Sequence, residues 1–337
     1  MIDFVLRIFL QVVLTTHAVQ FNVEQCQSGD IERRSKELAT TVVKSWTDSS
    51  RPPWNVTIFK AEDGQCTMML SMHHSLYDGN AVDYILDDVQ LAYNGKPLPQ
   101  RASLSEALSV TLFANDAEDS QSFWEETLTP FADPDSPPWP TLLDRMPSPA
   151  DSKRFFSSAF TQDRAELAEV ATHLNVSISH LLQAAWSLLL STYMGTGKVV
   201  FGETLSLRTG NASLEGTIAP LITTSPVIAL ITEETTPRTL ITDLSELSVR
   251  ATPHRLVTSQ KVRNVLQRPI DLPVFPAIFV MYIDTDDGES LPALSPSEML
   301  WTDSSTAALD VEHPLAVNVY VDEKEIKVDV LGNGRET

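Results

Sequence analysis

The residues with the clearest capacity for chemistry lie close together: His73, His74, Asp78 and Gly79 fall within seven consecutive positions. An imidazole can take up or release a proton near neutral pH, which is the chemistry of a general base. A carboxylate can orient a neighbouring cation or cap a helix. Successive side chains that leave a strand point to opposite sides. Only one of the two histidines can therefore face a given cavity.

Two predicted elements position this segment. The apolar run Cys66–Met72 predicts a buried strand before it. After Gly79, apolar residues recur with the spacing of one helix face, at Val82, Ile85, Leu86 and Val89. Loops held between rigid elements often carry function. Taken singly, however, a loop histidine is usually a surface residue and Asp-Gly is usually a turn.

A metal site is disfavoured at this segment. Histidine and aspartate are competent zinc ligands. Two adjacent histidines that point apart cannot easily chelate one ion, and the sequence has no second His/Cys cluster to complete a site. We therefore expect no metal.

The whole pattern His-His-x-x-x-Asp-Gly resembles the core motif of condensation domains of nonribosomal peptide synthetases. These belong to the chloramphenicol-acetyltransferase-like superfamily, which shares His-x-x-x-Asp. Further blocks resemble that family in the same order, at residues 123–128, 178–186, 200–208 and 216–226. Three positions depart from it: Leu207 and Ala219 replace glycine, and Thr223 replaces asparagine. The residues within these blocks are similar to those of fungal siderophore synthetases of the ferrichrome type.

The resemblance implies an α/β fold, in which two chloramphenicol-acetyltransferase-like lobes form a V with an active-site tunnel between them. Residues 1–130 would form the N-terminal lobe and residues 151–337 the C-terminal lobe. The Pro-rich residues 131–150 would cross between them.

The first residues invite comparison with a signal peptide, because residues 2–14 are largely apolar. A signal peptide begins with basic residues, whereas this chain has the acidic Asp3 near its start. Arg7 and Gln11 interrupt the apolar run, which is also too short to span a bilayer. We interpret it as a strand in which Arg7 is a core position. The resemblance then predicts that the family's first strand and helix, and its last part, are missing from this chain.

The resemblance also implies roles in acyl transfer. His74 would accept a proton from the attacking amine or position that amine by hydrogen bonding. Gly79 has two readings, a backbone amide that binds the oxyanion or simple turn geometry. No Gly-x-Ser-x-Gly occurs, so covalent catalysis is not implied.

The remaining site residues would support the loop. The resemblance pairs Asp78 with Arg208, and Arg7 is a second candidate partner. His73 would hold the loop by hydrogen bonding. We expect His173, His180, His254 and His313 to be ordinary helix-face or loop histidines.

The expected partners are donor and acceptor carrier-protein domains, peptidyl or aryl, whose phosphopantetheine arms hold the substrates, with adenylation domains as possible neighbours. No cofactor bound by the domain itself is implied.

The 337 residues include 45 acidic and 24 basic side chains, a formal charge of −21, which disfavours nucleic acid as a partner. Neither is a membrane expected. Two cysteines are too few for a disulfide framework and fit a reducing, cytoplasmic setting.

Two rivals stay open. A stand-alone CoA-dependent acyltransferase also carries His-x-x-x-Asp, but its later Asp-Phe-Gly-Trp-Gly block has no match in residues 291–334. The second rival is a catalytically inactive condensation-domain fragment that only binds carrier proteins.

Elsewhere, periodicity predicts the remaining elements. Helices are expected over 31–46, 103–114, 120–128, 163–173 and 177–194, and strands over 54–59, 276–284, 314–321 and 323–330. Residues 62–64 would form a hairpin turn, and residues 195–198 a helix stop.

Overall fold

The computed structural model describes residues 21–45, 52–64, 66–111, 117–132, 155–270, 272–283 and 313–333. The chain divides into two compact units, Met1–Tyr77 and Asp78–Thr337. The mixed α/β class expected from the sequence is confirmed in both. The lobe boundaries stay a prediction, and the expected crossover falls mostly on residues 133–154, outside the described part.

In the part of the first unit that the structure describes, a three-stranded sheet is accompanied by one α-helix. Its elements are β1 (Phe21–Cys26), α1 (Ile31–Ser45), β2 (Trp54–Ala61) and β3 (Cys66–Met72). Strand β1 runs parallel to β2, and β3 runs antiparallel to it. The predicted hairpin turn is present: Gly64 has a φ of 89°, and its N–H donates to the Ala61 carbonyl at 3.0 Å. Such a left-handed position favours glycine.

Strand β3 has the predicted bounds but not the predicted burial. Its residues are half-buried, and Cys66 is exposed. An apolar run indicates a strand covered on both faces. Among the described residues, however, β3 pairs only with β2 and is an edge of this sheet. The expectation of a buried strand is therefore wrong.

The described residues of the second unit form a six-stranded sheet of order β4-β9-β8-β7-β5-β6. The pairs β5/β7 and β7/β8 are parallel, and the other pairs are antiparallel. Its helices are α2 (Gly79–Tyr93), α3 (Leu104–Thr111), α4 (Ala117–Leu128), α5 (Arg164–Leu174), α6 (Ile178–Met194), α7 (Pro237–Ala251) and α8 (Ser259–Leu266). Its strands are β4 (Phe155–Asp163), β5 (Lys198–Ser206), β6 (Ile222–Leu230), β7 (Ala277–Ile283), β8 (Leu315–Val321) and β9 (Glu325–Asn333).

Helix α6 shows why the local sequence sets its bounds. Ser177 caps its start, with reciprocal hydrogen bonds between Ser177 and His180. Gly195 ends it with a φ of 65°. The helix stop predicted over residues 195–198 is thus confirmed. Gly197 then passes so close to Ile231 that an added Cβ would lie 2.1 Å from the Ile231 carbonyl oxygen, which excludes any larger residue.

The two faces of the sheet bury different clusters, because successive residues of β5 point to opposite sides. One face packs against α6 and α7 through Phe201, Phe279, Leu190 and Leu240, among others. The other packs Val200 and Phe275 against α4 and α8. Gly202 permits this second contact, because a Cβ there would lie 2.8 Å from the Phe275 ring.

Helix α4 is attached by one fully buried tryptophan. Trp124 packs in the second cluster, and its Nε1–H donates to the His254 carbonyl at 2.7 Å. The neighbouring Phe123 ring stacks on His254, with centroids 4.4 Å apart. The block at residues 123–128 therefore has a packing role in this unit.

Most predicted elements are confirmed within a few residues. Helix α4 begins three residues earlier than expected. Helix α3 is described to Thr111, and residues 112–114 lie outside the described part. The sequence reasoning missed β1, β4, β6, α7 and α8.

We predict that Trp124→Phe destabilises the second unit more than Trp186→Phe. Both changes remove an indole, but within the described residues the buried Nε1 of Trp186 has no hydrogen-bond partner. Trp124→Phe instead leaves the His254 carbonyl unpaired, at a cost of about 1–3 kcal/mol. Urea unfolding curves of the two variants measure the difference. Equal destabilisation would contradict the assigned hydrogen bond.

Candidate active site

His73 closes the turn that follows β3. Its backbone N–H donates to the Pro53 carbonyl at 2.9 Å, which ties the turn to the start of β2. Its ring Nδ1 accepts the Ser75 N–H at 3.2 Å, and its carbonyl accepts the Leu76 N–H at 3.0 Å. An N–H group can only donate, so Nδ1 of His73 is the unprotonated nitrogen. The loop-holding role of His73 stays a prediction, and these hydrogen bonds are the contacts through which it would act.

His74 is held in the opposite tautomer. Its ring is exposed and stacks on Tyr77, with centroids 4.7 Å apart and planes 3° from parallel. Its Nδ1 lies 3.1 Å from the Tyr77 carbonyl oxygen. A carbonyl can only accept, so the neutral ring carries its proton on Nδ1. Nε2 keeps its lone pair, and the described residues make no hydrogen bond to it.

Asp78 begins the second unit as the N-cap of α2 and is only 2 % exposed. Its Oδ1 accepts the Ala81 N–H at 2.9 Å. Its Oδ2 accepts the Leu221 N–H at 2.7 Å and Arg208 Nη1–H at 2.5 Å. Three donors therefore satisfy one buried carboxylate, one of them a full positive charge.

Arg208 is the partner that the resemblance implied for Asp78. Its side chain is 8 % exposed, and its Nη2 donates to the Thr217 and Ala219 carbonyls at 2.8 and 2.9 Å. The guanidinium thus fastens the loop that follows β5 to the start of α2. The other candidate partner, Arg7, lies outside the described residues.

Gly79 is the first residue of α2, and its φ is not in the positive range. An added Cβ would meet no atom within 4 Å. Left-handed turn geometry therefore does not require glycine here. The helix start instead leaves open space beside Gly79, where its backbone amide is among those without an intrahelical acceptor.

Arg101 and Glu203 were missed by the sequence reasoning. Arg101 pairs with Asp88 and reaches the Gly216 carbonyl. No local sequence pattern indicates the role of Arg101, because its loop partner Gly216 lies 115 positions further along the chain. Glu203 lies within the block preceding Arg208, and the acid in a strand that is otherwise largely apolar was an available signal.

Glu203 is a largely buried acid on β5. Its Oε1 accepts a hydrogen bond from Gln183 Nε2 at 2.7 Å. Burial raises the pKa of Glu203, and the Gln183 bond and the charge of Arg255 partly oppose that rise.

The four histidines expected to be ordinary have local partners where partners are recorded. His180 caps α6, and burial lowers its pKa. His254 lies 3.2 Å from Ser120 Oγ, and His313 lies 3.4 Å from the Phe275 carbonyl. His173 is an exposed residue in the last turn of α5.

The described ranges contain no group of three His, Cys, Asp or Glu side chains placed to hold an ion. In the same ranges, no helix is both long and apolar enough to cross a bilayer.

The family profile described as "Condensation domain" matches residues 6–333. The chain belongs to this family. A relative of this condensation domain is the nonribosomal peptide synthetase fso1 of Omphalotus olearius, 44% identical over 97% of this chain. Another is the synthetase sidC of Aspergillus fumigatus, 31% identical over 92% of this chain. The chain spans 7% and 6% of these two proteins.

Other relatives carry siderophore names, such as the siderophore peptide synthetase fer3 of Mycosarcoma maydis, 27% identical over 82% of this chain and 6% of the relative. The resemblance to condensation domains and to fungal siderophore synthetases is thus confirmed. Solved structures share the fold. The X-domain from teicoplanin biosynthesis has a TM-score of 0.72 at 22% identity, over 94% of this chain and 74% of that one.

We predict that Arg208→Ala costs about 3–5 kcal/mol of unfolding free energy, because Asp78 would stay buried without its cation. The matched control is Arg250→Ala, an exposed arginine of α7 in the same unit, where we expect a change within about 0.5 kcal/mol. Urea unfolding measures both. Similar unfolding midpoints for the two variants would show that the Asp78–Arg208 ion pair does not stabilise the folded state.

Glu203→Gln should reveal a pH-dependent cost of the buried acid. Because the pKa of Glu203 is raised on folding, the folded chain binds the proton more tightly than the unfolded chain does. The stability that Glu203 contributes is full below the unfolded pKa of about 4.3 and is lost as pH rises through the folded pKa. The glutamine variant should therefore gain stability relative to the parent from about pH 4 to neutrality.

Thermal unfolding at several pH values measures this gap. Glu246→Gln, at an exposed position of α7, is the control and should show no such trend. A pH-independent gap for Glu203→Gln would contradict the raised pKa.

Proposed function

We propose that this condensation domain forms an amide bond between acyl or aminoacyl groups held as thioesters on the phosphopantetheine arms of carrier proteins, in nonribosomal siderophore synthesis. The observation that carries the proposal is the hydrogen bond between His74 Nδ1 and the Tyr77 carbonyl. With Nδ1–H held by the Tyr77 carbonyl, Nε2 is the nitrogen that can accept a proton. That is what an amine needs when it attacks a thioester.

The reaction balances without a cofactor. The acceptor amine forms a C–N bond to the thioester carbonyl carbon, and the carbonyl oxygen becomes an oxyanion. His74 Nε2 takes the amine proton or holds the amine in place. The C–S bond then breaks, and the proton passes to the departing thiolate. The products are an amide and a free phosphopantetheine thiol.

Gly79 supports the oxyanion step in this proposal. Helix N-termini present unpaired backbone N–H groups and a partial positive charge. Because Gly79 has no side chain, an oxyanion could approach the backbone more closely than it could if residue 79 were alanine.

Asp78 and Arg208 act as positioning residues in the proposal. Their ion pair and the Leu221 N–H bond fix the residue that directly follows the His74 turn in the chain. Neither side chain is exposed enough to meet a substrate directly. Their contribution is the geometry of the segment, as expected for a buried pair of this kind.

The proposed partners follow from the relatives. They are synthetases many times longer than this chain, and a solved four-domain nonribosomal peptide synthetase includes this fold over 25% of its chain at a TM-score of 0.66 and 15% identity. We propose donor and acceptor carrier domains as partners and adenylation domains as neighbours. The free thiols of Cys26 and Cys66 support a reducing compartment such as the cytoplasm.

A binding role without catalysis is the second candidate. It is prompted by a solved structure of the same fold, an X-domain from teicoplanin biosynthesis in complex with OxyB, which has a TM-score of 0.70 at 21% identity. Likeness at that identity shows the fold alone. The stand-alone CoA-dependent acyltransferase is disfavoured, because the relatives fso1 and sidC are long synthetases.

We predict that His74→Ala lowers condensation by about 10²–10⁴-fold, the usual contribution of a positioned acid–base group. The assay incubates the chain with two synthetic aminoacyl-pantetheine thioesters and measures the dipeptide by mass spectrometry. His173→Ala, an exposed histidine of α5, is the matched control and should keep parental activity.

The outcomes separate the candidates. Product from the parent and the His173 variant, with little from His74→Ala, supports condensation that depends on His74. Equal product from all three would place the chemistry elsewhere. No product from a parent that melts cooperatively would favour the binding role.

A further inference from the structure

Arg101, between α2 and α3, makes a bidentate ion pair with α2. Its Nε and Nη2 donate to the two carboxylate oxygens of Asp88 at 2.9 and 2.7 Å. The two side chains are 17 % and 19 % exposed. A parallel pair of charge-assisted bonds fixes the plane of the guanidinium as well as its distance.

The same guanidinium also holds the loop that follows β5. Its Nη1 donates to the Gly216 carbonyl at 3.1 Å. Its Nη2 donates to the Tyr84 carbonyl at 3.3 Å, and its central carbon lies 4.8 Å from the Tyr84 ring centre. Arg101 therefore connects α2 to a loop more than a hundred residues further along the chain.

The loop is shaped to admit this arginine. Gly216 has a φ of 74°, which favours glycine, and an added Cβ would lie 3.1 Å from Arg101 Nη1. On either side of Gly216, Leu214 and Ala219 pack against Ala107 of α3. Backbone conformation and apolar packing thus present the Gly216 carbonyl to Arg101.

Both ends of this loop meet the start of α2. Arg208 and the Leu221 N–H both bond Asp78, as described above. Tyr84 lies between the two attachments, with the Arg208 guanidinium 6.0 Å from its ring centre. Asp78 and Asp88 are ten residues apart, or about 15 Å along a helix.

We infer that Arg101 is a positioning residue for the acyl transfer proposed above, acting through the Asp78–Arg208 pair. A single attachment at Asp78 would let the helix and loop pivot about that point. A second attachment, which reaches the helix at Asp88 about 15 Å along its axis from Asp78, removes the pivot and sets the angle at which Arg208 meets Asp78. Asp78 directly follows the His74 turn in the chain, so an error in its position moves the end of that turn. The inference rests on the proposed function.

A purely stabilising role would predict different kinetics. In that case Arg101→Gln would lose activity only by unfolding, and any variant that restored the melting temperature would restore kcat. A positioning role predicts that kcat of the folded Arg101→Gln variant falls by about 10–100-fold, because small displacements are costly in catalysis. KM for both pantetheine thioesters should change less than about twofold, because Arg101 touches no substrate.

Arg101→Lys provides the conservative comparison. Lysine keeps a positive charge beside Asp88, but it cannot bond both carboxylate oxygens and the Gly216 carbonyl in one plane. We expect this variant to recover most of the melting temperature and little of the kcat. Recovery of both together would overturn the inference, as would parental kcat in folded Arg101→Gln.

Hydrogen exchange of backbone amides tests the inference without any activity. In Arg101→Gln, exchange at Leu221 and Ala81, whose N–H groups bond Asp78, should quicken by about tenfold or more. Exchange at Val319, in the interior strand β8, should stay parental. Unchanged exchange at Leu221 would refute the inference even if the parent is active. If the parent makes no product, the proposed function fails while the exchange result still decides this inference.

Gly216→Ala is the second variant, for use if Arg101→Gln does not fold. It keeps both charges but crowds Arg101 Nη1 and strains a left-handed position. The same quickened exchange at Leu221 is expected, and parental exchange there would count against the inference.

Discussion

The Asp78 carboxylate is the point at which distant parts of the second unit meet. It caps its own helix through Ala81, receives the guanidinium of Arg208 from 130 residues away and accepts the Leu221 amide. Burying two opposite charges is costly unless each finds its full set of partners. Here the carboxylate has three donors and Arg208 Nη2 has two carbonyl acceptors, whereas the buried Arg208 Nε–H has no acceptor among the described residues. The pair therefore specifies one conformation of the helix start and the loop, rather than adding generic stability.

The sheet supplies the rigidity on which that specification depends. Strand β5 carries the chain to Arg208, and β6 leads away from Leu221. The strands pair in register from Lys198 to Ser206 and bury apolar clusters on both faces. The loop between them is thus held at both ends. A polar network gains accuracy when its supporting elements are packed in this way.

The two histidines of the motif illustrate how neighbours of one chemical type acquire different roles. The His73 ring accepts a backbone N–H, which leaves its proton on Nε2 and makes it part of the turn. The His74 ring faces a backbone carbonyl, which leaves its proton on Nδ1 and its lone pair on Nε2. Backbone donors and acceptors, rather than other side chains, fix both tautomers. Only His74 is left with an acceptor nitrogen that the described residues do not use.

By itself, the sequence determined the features that depend on neighbours in the chain. Alternation, caps and glycine turns located β2, β3, α5 and α6, and the motif's family resemblance named the Asp78–Arg208 pair. The sequence reasoning did not recover β1, or α8, where Val262 and Leu266 are the buried residues in a mostly polar helix. The tautomers of His73 and His74 depend on backbone groups two and three residues further along the chain, so the conformation of a single turn decides them. Tertiary structure alone decided the edge position of β3 and the link from Arg101 to Gly216. Each of these depends on contacts between backbone groups and charges that are distant in the chain. Local periodicity contains no information about such contacts.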